Sequence, residues 1–504
     1  MGLPEVFQDD PSTDPVFLNG EKLSVLMWAD DVLVLSLSAK GLQASIDKTY
    51  NYFDSLGLTV NVKKTKVLIF NPRGLTLKDS TVHSFQCGPH PLEVCDQYTY
   101  LGILLKPSGT FSFAVDELYT KASKAWFSIS NTIYQNKKLP VKKAFRIFDA
   151  LVTPITLYCC ELWTPYILKV SNLGVPEDLL MDFGAFPPER LNQRISRMIL
   201  SVHKKASTLA VLGELGRFPL LVNSLVHTIK YEWQLRQKSH GSYIGLAYTE
   251  MRHFASQGKD CWLTRVNRIN SGLGIQVPNF CNPSTASKHI KMQVQGKFQS
   301  YWLNTIQKVR LNSEGRDQNK LRVYKTFKGS FTEEPYISQV SNRNQRSAIT
   351  RLRTSAHRLQ IELGRYTTPP TPISERYCKY CCTEPCSIDT ECHFLFQCST
   401  FSLKRHCFIG KLSSLGVTVE DSWPDCIKLA KVLCPTSTQT AKCTNKFISI
   451  LDKNRKLLDE GTPVNFLGYR NTVVVDGGYD PDVSDCSLSL SSINTDYLDS
   501  SFEE

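Results

Sequence analysis

The sequence predicts an α+β protein, with strands confined to residues 1–108, helices over most of the remaining chain, and a small cysteine-rich module near the C-terminus. Three observations carry this prediction. Before Gly109 the apolar residues alternate or run in short blocks, after it they recur every three or four positions, and seven of the 17 cysteines fall between Cys378 and Cys407.

The first unit opens with an apolar run, an acidic pair and a second apolar run: LSVLMWA, then Asp30 and Asp31, then VLVLSL. This predicts a buried β-hairpin with carboxylates at its tip. Leu42, Ile46, Tyr50 and Phe53 share one face of a helix over 41–56, which Gly57 ends. Residues 58–70, LTVNVKKTKVLIF, read as strand, and QYTYLGILL at 97–105 as a further strand that closes the unit. The Pro- and Gly-containing stretch 71–96 reads as loop with one more short strand.

Beyond Gly109, Leu118, Ala122, Ala125, Ile129 and Ile133 line one helix. Val141, Phe145, Phe148 and Val152 line the next, which Pro154 kinks or stops. Helices continue at 190–200, 207–215 and 219–236, the middle one punctuated by Gly216 and Pro219. Residues 240–340 mix helix and loop. A helical stretch at 343–365 is parted from the cysteine cluster by TTPPTP at 367–372. The expected organisation is 1–108 (α+β), 109–240 and 241–366 (helical), 373–410 (cysteine module), 411–470 (a small extension) and 471–504 (an acidic, Ser-rich disordered tail).

Composition narrows the function classes. With 41% hydrophobic residues, 21% charged residues and a mean hydropathy of −0.22, the chain is an ordinary globular one. No apolar run approaches the roughly 20 residues that span a bilayer, so a membrane role is not expected. The N-terminus MGLPEV lacks the basic and apolar regions of a secretory signal, which predicts a nuclear or cytoplasmic protein with reduced cysteines. Net charge is +12, but the last 34 residues hold eight acidic side chains and no basic one, leaving the rest at +20. A body so basic favours polyanions, nucleic acid first.

Two constellations carry chemistry. Adjacent aspartates at a hairpin tip repel each other unless a cation neutralises them, and hard ions such as Mg²⁺ seek carboxylate oxygens. Taken alone, such a pair is still more often an acidic turn than a metal site. The second is CKYCCTEPCSIDTECHFLFQC at 378–398. Cys378 and Cys381 form a C-x2-C pair, and His393 and Cys398 form H-x4-C, together the donor set of a closed, structural zinc site. Cys382, Cys386 and Cys392 are spare thiols that could compete as ligands.

These segments resemble, in order and spacing, reverse transcriptases of non-LTR retrotransposons (LINE elements). WADDVLVLS (28–36), GLTVNVKKTKVLIF (57–70) and YTYLGILL (98–105) are similar to three successive palm motifs, with Trp28 where the family usually has Tyr or Phe. The resemblance continues through LYCCELW (157–163), KKASTLAVLGELGRFPL (204–220) and the terminal Cys/His knuckle. It implies a partial polymerase palm followed by a helical thumb, with Asp30 bridging two Mg²⁺ ions and Asp31 supporting it. It also implies Lys64 near an incoming triphosphate, and Tyr100, Leu101 and Gly102 as a primer grip. The companion aspartate of this site is expected upstream of the hairpin and is not found in this sequence, so a chain truncated before the first palm motifs, and inactive alone, is expected.

The implied partners are RNA and DNA, as template-primer and target, and a full-length element protein acting in trans. Lys137, Lys138, Lys142 and Lys143, with Arg146, are candidate phosphate contacts on the thumb; Arg346, Arg353 and Arg358, with Arg365, are candidates beside the knuckle. For each group a solvated helix face is the plain alternative. GELGRFP (213–219) is expected to be structural. Two further readings stay open: a non-enzymatic nucleic-acid-binding protein derived from the same element, and a translated fossil without function.

Overall fold

The computed structural model describes residues 2–7, 10–70, 84–135, 139–168, 184, 186–238, 241–276, 282–313, 315–381 and 387–460. Residues 1–451 form one unit; of the second, 452–504, the described part ends the helix Thr438–Asp459.

The protein is mixed α+β and mostly helical. Among the described residues nine short strands lie before residue 106: β1 (Val16–Leu18), β2 (Glu21–Leu23), β3 (Val25–Trp28), β4 (Asp31–Val34), β5 (Lys66–Leu68), β6 (Phe85–Cys87), β7 (His90–Cys95), β8 (Tyr98–Tyr100) and β9 (Ile103–Leu105). They make four small sheets, β1–β2, β3–β4, β5–β7–β6 and β8–β9, antiparallel except for the parallel β5–β7 pair. The helix Ala39–Ser55, capped by Ser38 Oγ on the Gly41 amide at 3.1 Å, packs Ile46 over Val67, Phe85 and Leu92.

Two strand expectations change. Residues 58–65 are not strand, because Asn61 turns the chain: its Oδ1 and its carbonyl accept the Lys64 amide at 3.2 and 3.0 Å. Residues 97–105 are not one strand but the hairpin β8–β9, because Leu101 and Gly102 both have positive φ, 45° and 81°. That is a two-residue loop whose twist matches paired strands.

Helices carry the rest: Ser112–Gln135, Val141–Leu151, Cys160–Ile167, Pro187–Leu200, Thr208–Leu215, Leu220–Arg236, Tyr243–Ser256, Trp262–Leu273, Pro283–Gln307, Arg343–Arg353, Ser402–Ser414, Asp425–Leu433 and Thr438–Asp459. The stretch expected to be helical from 343 to 365 breaks after Arg353, where Ser355 has φ 52°, and resumes for one turn at Gln360–Leu363. Buried apolar side chains from Ile103 through Trp302, Phe394 and Leu395 to Leu451 form one continuous core. The segments separated in the sequence at 240, 366 and 410 therefore share an interior.

GELGRFP sits at the middle of that interior. Glu214 is buried and receives a forked pair from Arg353, Nε to Oε2 at 2.8 Å and Nη2 to Oε1 at 2.9 Å, together with the Tyr336 hydroxyl. Gly216 ends its helix at φ 56°, and a Cβ there would lie 2.4 Å from the Glu333 backbone nitrogen, so only glycine lets the two segments approach. Arg217 forks onto Asp149 at 3.0 and 2.6 Å and covers the Phe145 ring at 4.6 Å. The motif joins helices that lie far apart in sequence.

Among the described residues no single helix is long and apolar enough to cross a membrane. The apolar pair Thr208–Leu215 and Leu220–Arg236 is bent by 73° and lies within the main core.

Candidate metal centre and basic surface

The cysteine module begins as a hairpin. The Cys378 amide donates to Ser387 O and the Asp389 amide to Arg376 O, both at 2.9 Å, with Tyr377 opposite Ile388. Cys378 and Cys381 lie on the first limb. The second pair comes from His393, which starts a helical segment of the wide i→i+5 kind over His393–Gln397, and from Cys398 just past it. Such one-turn insertions recur at functional sites because they re-aim side chains. Here the Cys398 amide reaches back to His393 O at 2.8 Å, which holds both ligands on the same side.

The four ligand atoms lie within 4.8 Å of one another. Cys378 Sγ and Cys398 Sγ are 4.0 Å apart, and Cys381 Sγ is 3.2 Å from His393 Nε2. A tetrahedral zinc with bonds of about 2.0–2.3 Å would set neighbouring ligands roughly 3.4–3.8 Å apart, so only small adjustments are needed. The amides of Tyr380 and Cys381 point at the Cys378 sulfur, and that of Thr400 at Cys398. Such donors favour thiolates. The Cys398 thiol beside it draws Cys378 far below the usual thiol range, and the same contact pushes Cys398 up. Three sulfurs and one imidazole, with Cys378, His393 and Cys398 buried, fit a zinc ion with no coordination site left for substrate.

The spare thiols part company with this cluster. Cys392 is buried and turned elsewhere: burial and the Asp425 carboxylate push its thiol far up. Cys382 and Cys386 lie outside the described residues. The supports of the module are ionic. Glu391, buried next to Cys392, accepts both Arg322 Nη2 contacts at 2.8 Å and lies 2.9 Å from His357 Nε2; Arg322 also reaches Glu362 at 2.7 Å.

The acidic hairpin forms with its carboxylates at the tip, but it is not buried as expected: of its two strands only Val25 is buried, and Met27 is 47% exposed. Trp28 pairs with Asp31 across a tight turn in which Ala29 has φ 55°, and both aspartates are exposed. Trp28 is 69% exposed beside them. Tyr100 lies near Asp31: burial first, then the Asp31 charge, raises its pKa. Leu101 and Gly102 are held by Tyr158 of the LYCCELW segment, whose hydroxyl donates to Leu101 O at 2.8 Å while its ring lies where a Cβ on Gly102 would meet it at 3.1 Å. Lys64 is exposed on the Asn61 turn. Among the described residues no third carboxylate, thiol or imidazole joins Asp30 and Asp31.

The candidate cations divide. Lys142, Lys143 and Arg146 are exposed on one helix, and Arg358 is exposed; Lys137 and Lys138 lie outside the described residues. Arg353 and Arg346 must be corrected. Arg353 is 0% exposed and committed to Glu214, Glu334 and Leu433 O. Arg346 is 2% exposed and donates to Val340 O at 2.9 Å. As placed, neither presents its guanidinium to a polyanion. Arg365 is half-buried and reaches Glu362 at 3.0 Å.

A basic surface that sequence reasoning missed lies at the loop after Leu200. Lys320 Nζ donates to Lys205 O and, at 2.8 Å, contacts Tyr366 Oη; Lys205 Nζ stands 3.8 Å over the Tyr366 ring. Arg351 Nε donates to Ser201 O at 3.2 Å and Arg343 Nε to Ser201 Oγ at 2.5 Å. His203 is held below its ordinary pKa by burial and then by Lys205, Lys204, Lys320 and Arg358. Among the described residues Lys204, Lys205 and Lys320 pair with no carboxylate. The lysine doublet was visible in the sequence; that Lys320, Arg358 and Tyr366 converge on it was not.

No family model matches the chain. It is 25% identical over 149 residues to a transposon-derived protein of Caenorhabditis elegans, covering 29% of this chain and 51% of that protein. It is also 25% identical over 166 residues to a retrovirus-related Pol polyprotein from the type-1 retrotransposable element R2 of Bradysia coprophila, covering 28% of this chain and 19% of the polyprotein. The chain thus spans about half of the first relative and a fifth of the second. It is a retrotransposon-related protein.

Proposed function

We propose that this chain is part of a LINE-type reverse transcriptase that binds nucleic acid through a structural zinc knuckle and the adjoining basic surface, and that does not polymerise alone. The observation that carries this reading is the closed cluster of Cys378, Cys381, His393 and Cys398, in a chain related to a retrotransposon Pol polyprotein. Zinc there would fold the hairpin and orient its flanks, with no step of chemistry passing through it. The lysines around His203 would meet phosphates, and Tyr366 offers an aromatic face to an unpaired base.

In the palm reading, Asp30 and Asp31 bind Mg²⁺ once a third carboxylate is supplied, in trans by a full-length element protein, with Tyr100 to Gly102 lying along the primer. Because the tip gathers only one carboxylate pair among the described residues, the non-enzymatic binding role is the activity expected of the chain alone.

Binding of single-stranded RNA, followed by fluorescence anisotropy, should weaken steeply between 50 and 200 mM salt. Replacing Lys204, Lys205 and Lys320 together by alanine should reduce the log–log salt slope by about 2, at about 0.7 per phosphate contact on a single strand. A flat salt dependence in the unsubstituted protein would refute the basic-surface reading. Primer extension with Mg²⁺ that disappears in Asp30→Ala would overturn the claim that the chain does not polymerise alone.

A further inference from the structure

A second group of side chains able to ligate a metal lies in the helical body, far in sequence from the knuckle. Cys160 and Glu161 open the helix Cys160–Ile167, and His227 lies on Leu220–Arg236, the helix packed against it. The Cys160 sulfur, a Glu161 carboxylate oxygen and a His227 ring nitrogen all lie within 4.8 Å of one another. Cys160 is fully buried, Glu161 half-buried and His227 exposed, so the cluster has a protein floor and a mouth toward solvent.

The surroundings are built around the sulfur. Ser224 precedes His227 by three residues on the same helical face, and its hydroxyl hydrogen-bonds to Cys160 Sγ while meeting Thr164 Oγ1 on the other side. Trp262 Nε1 donates to Glu161 O at 2.9 Å and fixes the backbone at the second ligand. A hydroxyl chain behind a ligating sulfur is the kind of outer support that orients metal ligands. A divalent ion would balance one thiolate and one carboxylate, with the imidazole neutral.

We propose that Cys160, Glu161 and His227 form a second zinc site, with sulfur, oxygen and nitrogen donors and a fourth position open to solvent. Mixed donors of this kind suit zinc better than Mg²⁺, which takes oxygen ligands only.

The test is the zinc content of the full chain, purified without chelator, and its release during titration with a chelator of graded strength. Two ions per chain are expected, leaving in separate steps. His227→Ala, a surface substitution that leaves the core intact, should remove one step; Cys160→Ser should remove the same step, and Co²⁺ loaded in its place should lose the weaker of two thiolate charge-transfer bands. A single ion lost only in Cys381→Ser would overturn this inference and leave the knuckle standing. Two ions retained in His227→Ala would also overturn it. A single ion lost only in His227→Ala would support it and refute the knuckle instead.

Discussion

Replacing Arg353 by methionine tests whether this side chain belongs to the interior or to a nucleic-acid surface. In the structure it joins Glu214 by two bonds of 2.8 and 2.9 Å, reaches Glu334 at 2.8 Å and caps the Leu433 carbonyl at 2.8 Å. After the substitution, among the described residues buried Glu214 keeps only the Tyr336 hydroxyl as a side-chain partner, whereas Glu334 keeps Lys328. Leaving one buried charge of a broken pair costs about 3–5 kcal/mol. At about 2–4 °C of melting temperature per kcal/mol for a large domain, Arg353→Met should melt on the order of 10 °C lower by calorimetry.

Arg353→Lys should recover little of this, because one ammonium cannot reproduce the fork. Adding Glu214→Gln to Arg353→Met should cost less than the sum of the two single substitutions, since the stranded charge disappears. RNA affinity at a temperature where both proteins are folded should be unchanged. A melting temperature within about 2 °C of the parent, a shift of under about 1 kcal/mol, accompanied by weaker RNA binding, would show that Arg353 works at a surface and that this placement is wrong.

Three further perturbations probe other parts of the fold. Burial raises the Glu189 carboxyl to about 7, above its ordinary value of 4.5, so its contribution is fully present below about pH 4.5, declines between pH 4.5 and 7, and is lost above. Glu189→Gln should therefore gain roughly 3 kcal/mol relative to the parent between about pH 4.5 and 8 in urea denaturation, whatever its pH-independent cost; a parallel pair of pH profiles would contradict this. Gly216→Ala should destabilise by about 2–4 kcal/mol, combining left-handed strain with a clash against Glu333, and a neutral result in the same assay would mean that the two segments separate readily. Cys398→Ser should abolish tight zinc binding at the knuckle, as measured by metal analysis; retention of that ion would exclude Cys398 as a ligand.

How much of this could be read in the sequence depended on whether the cause was local. The Asp30–Asp31 hairpin and the helix after it arise from apolar pattern and caps within a few residues. The four knuckle positions were legible from spacing alone, and the structure brings them together. Where a long-range partner decides, the reading failed. Periodicity at 343–365 could not reveal that Arg353 turns inward, because its reason is Glu214, 139 residues away. The turn at Asn61 needed only the chemistry of one side chain, and the valines and leucines around it masked that signal. GELGRFP looked like punctuation and proved to be a junction, since a buried glutamate means little until its arginine is known.

The knuckle also bears on more than the ion it would hold. Phe394 and Leu395, between its second pair of ligands, are fully buried in the same core as Trp302 and Leu451. An ion held there would therefore stabilise the whole fold by mass action. By linkage, a substitution that never touches the metal, such as one at Gly216, would lower apparent zinc affinity only once it populates the unfolded chain. Measured in denaturant, where folded and unfolded chains coexist, the zinc concentration at half-filling would thus report the fraction of chain that is folded.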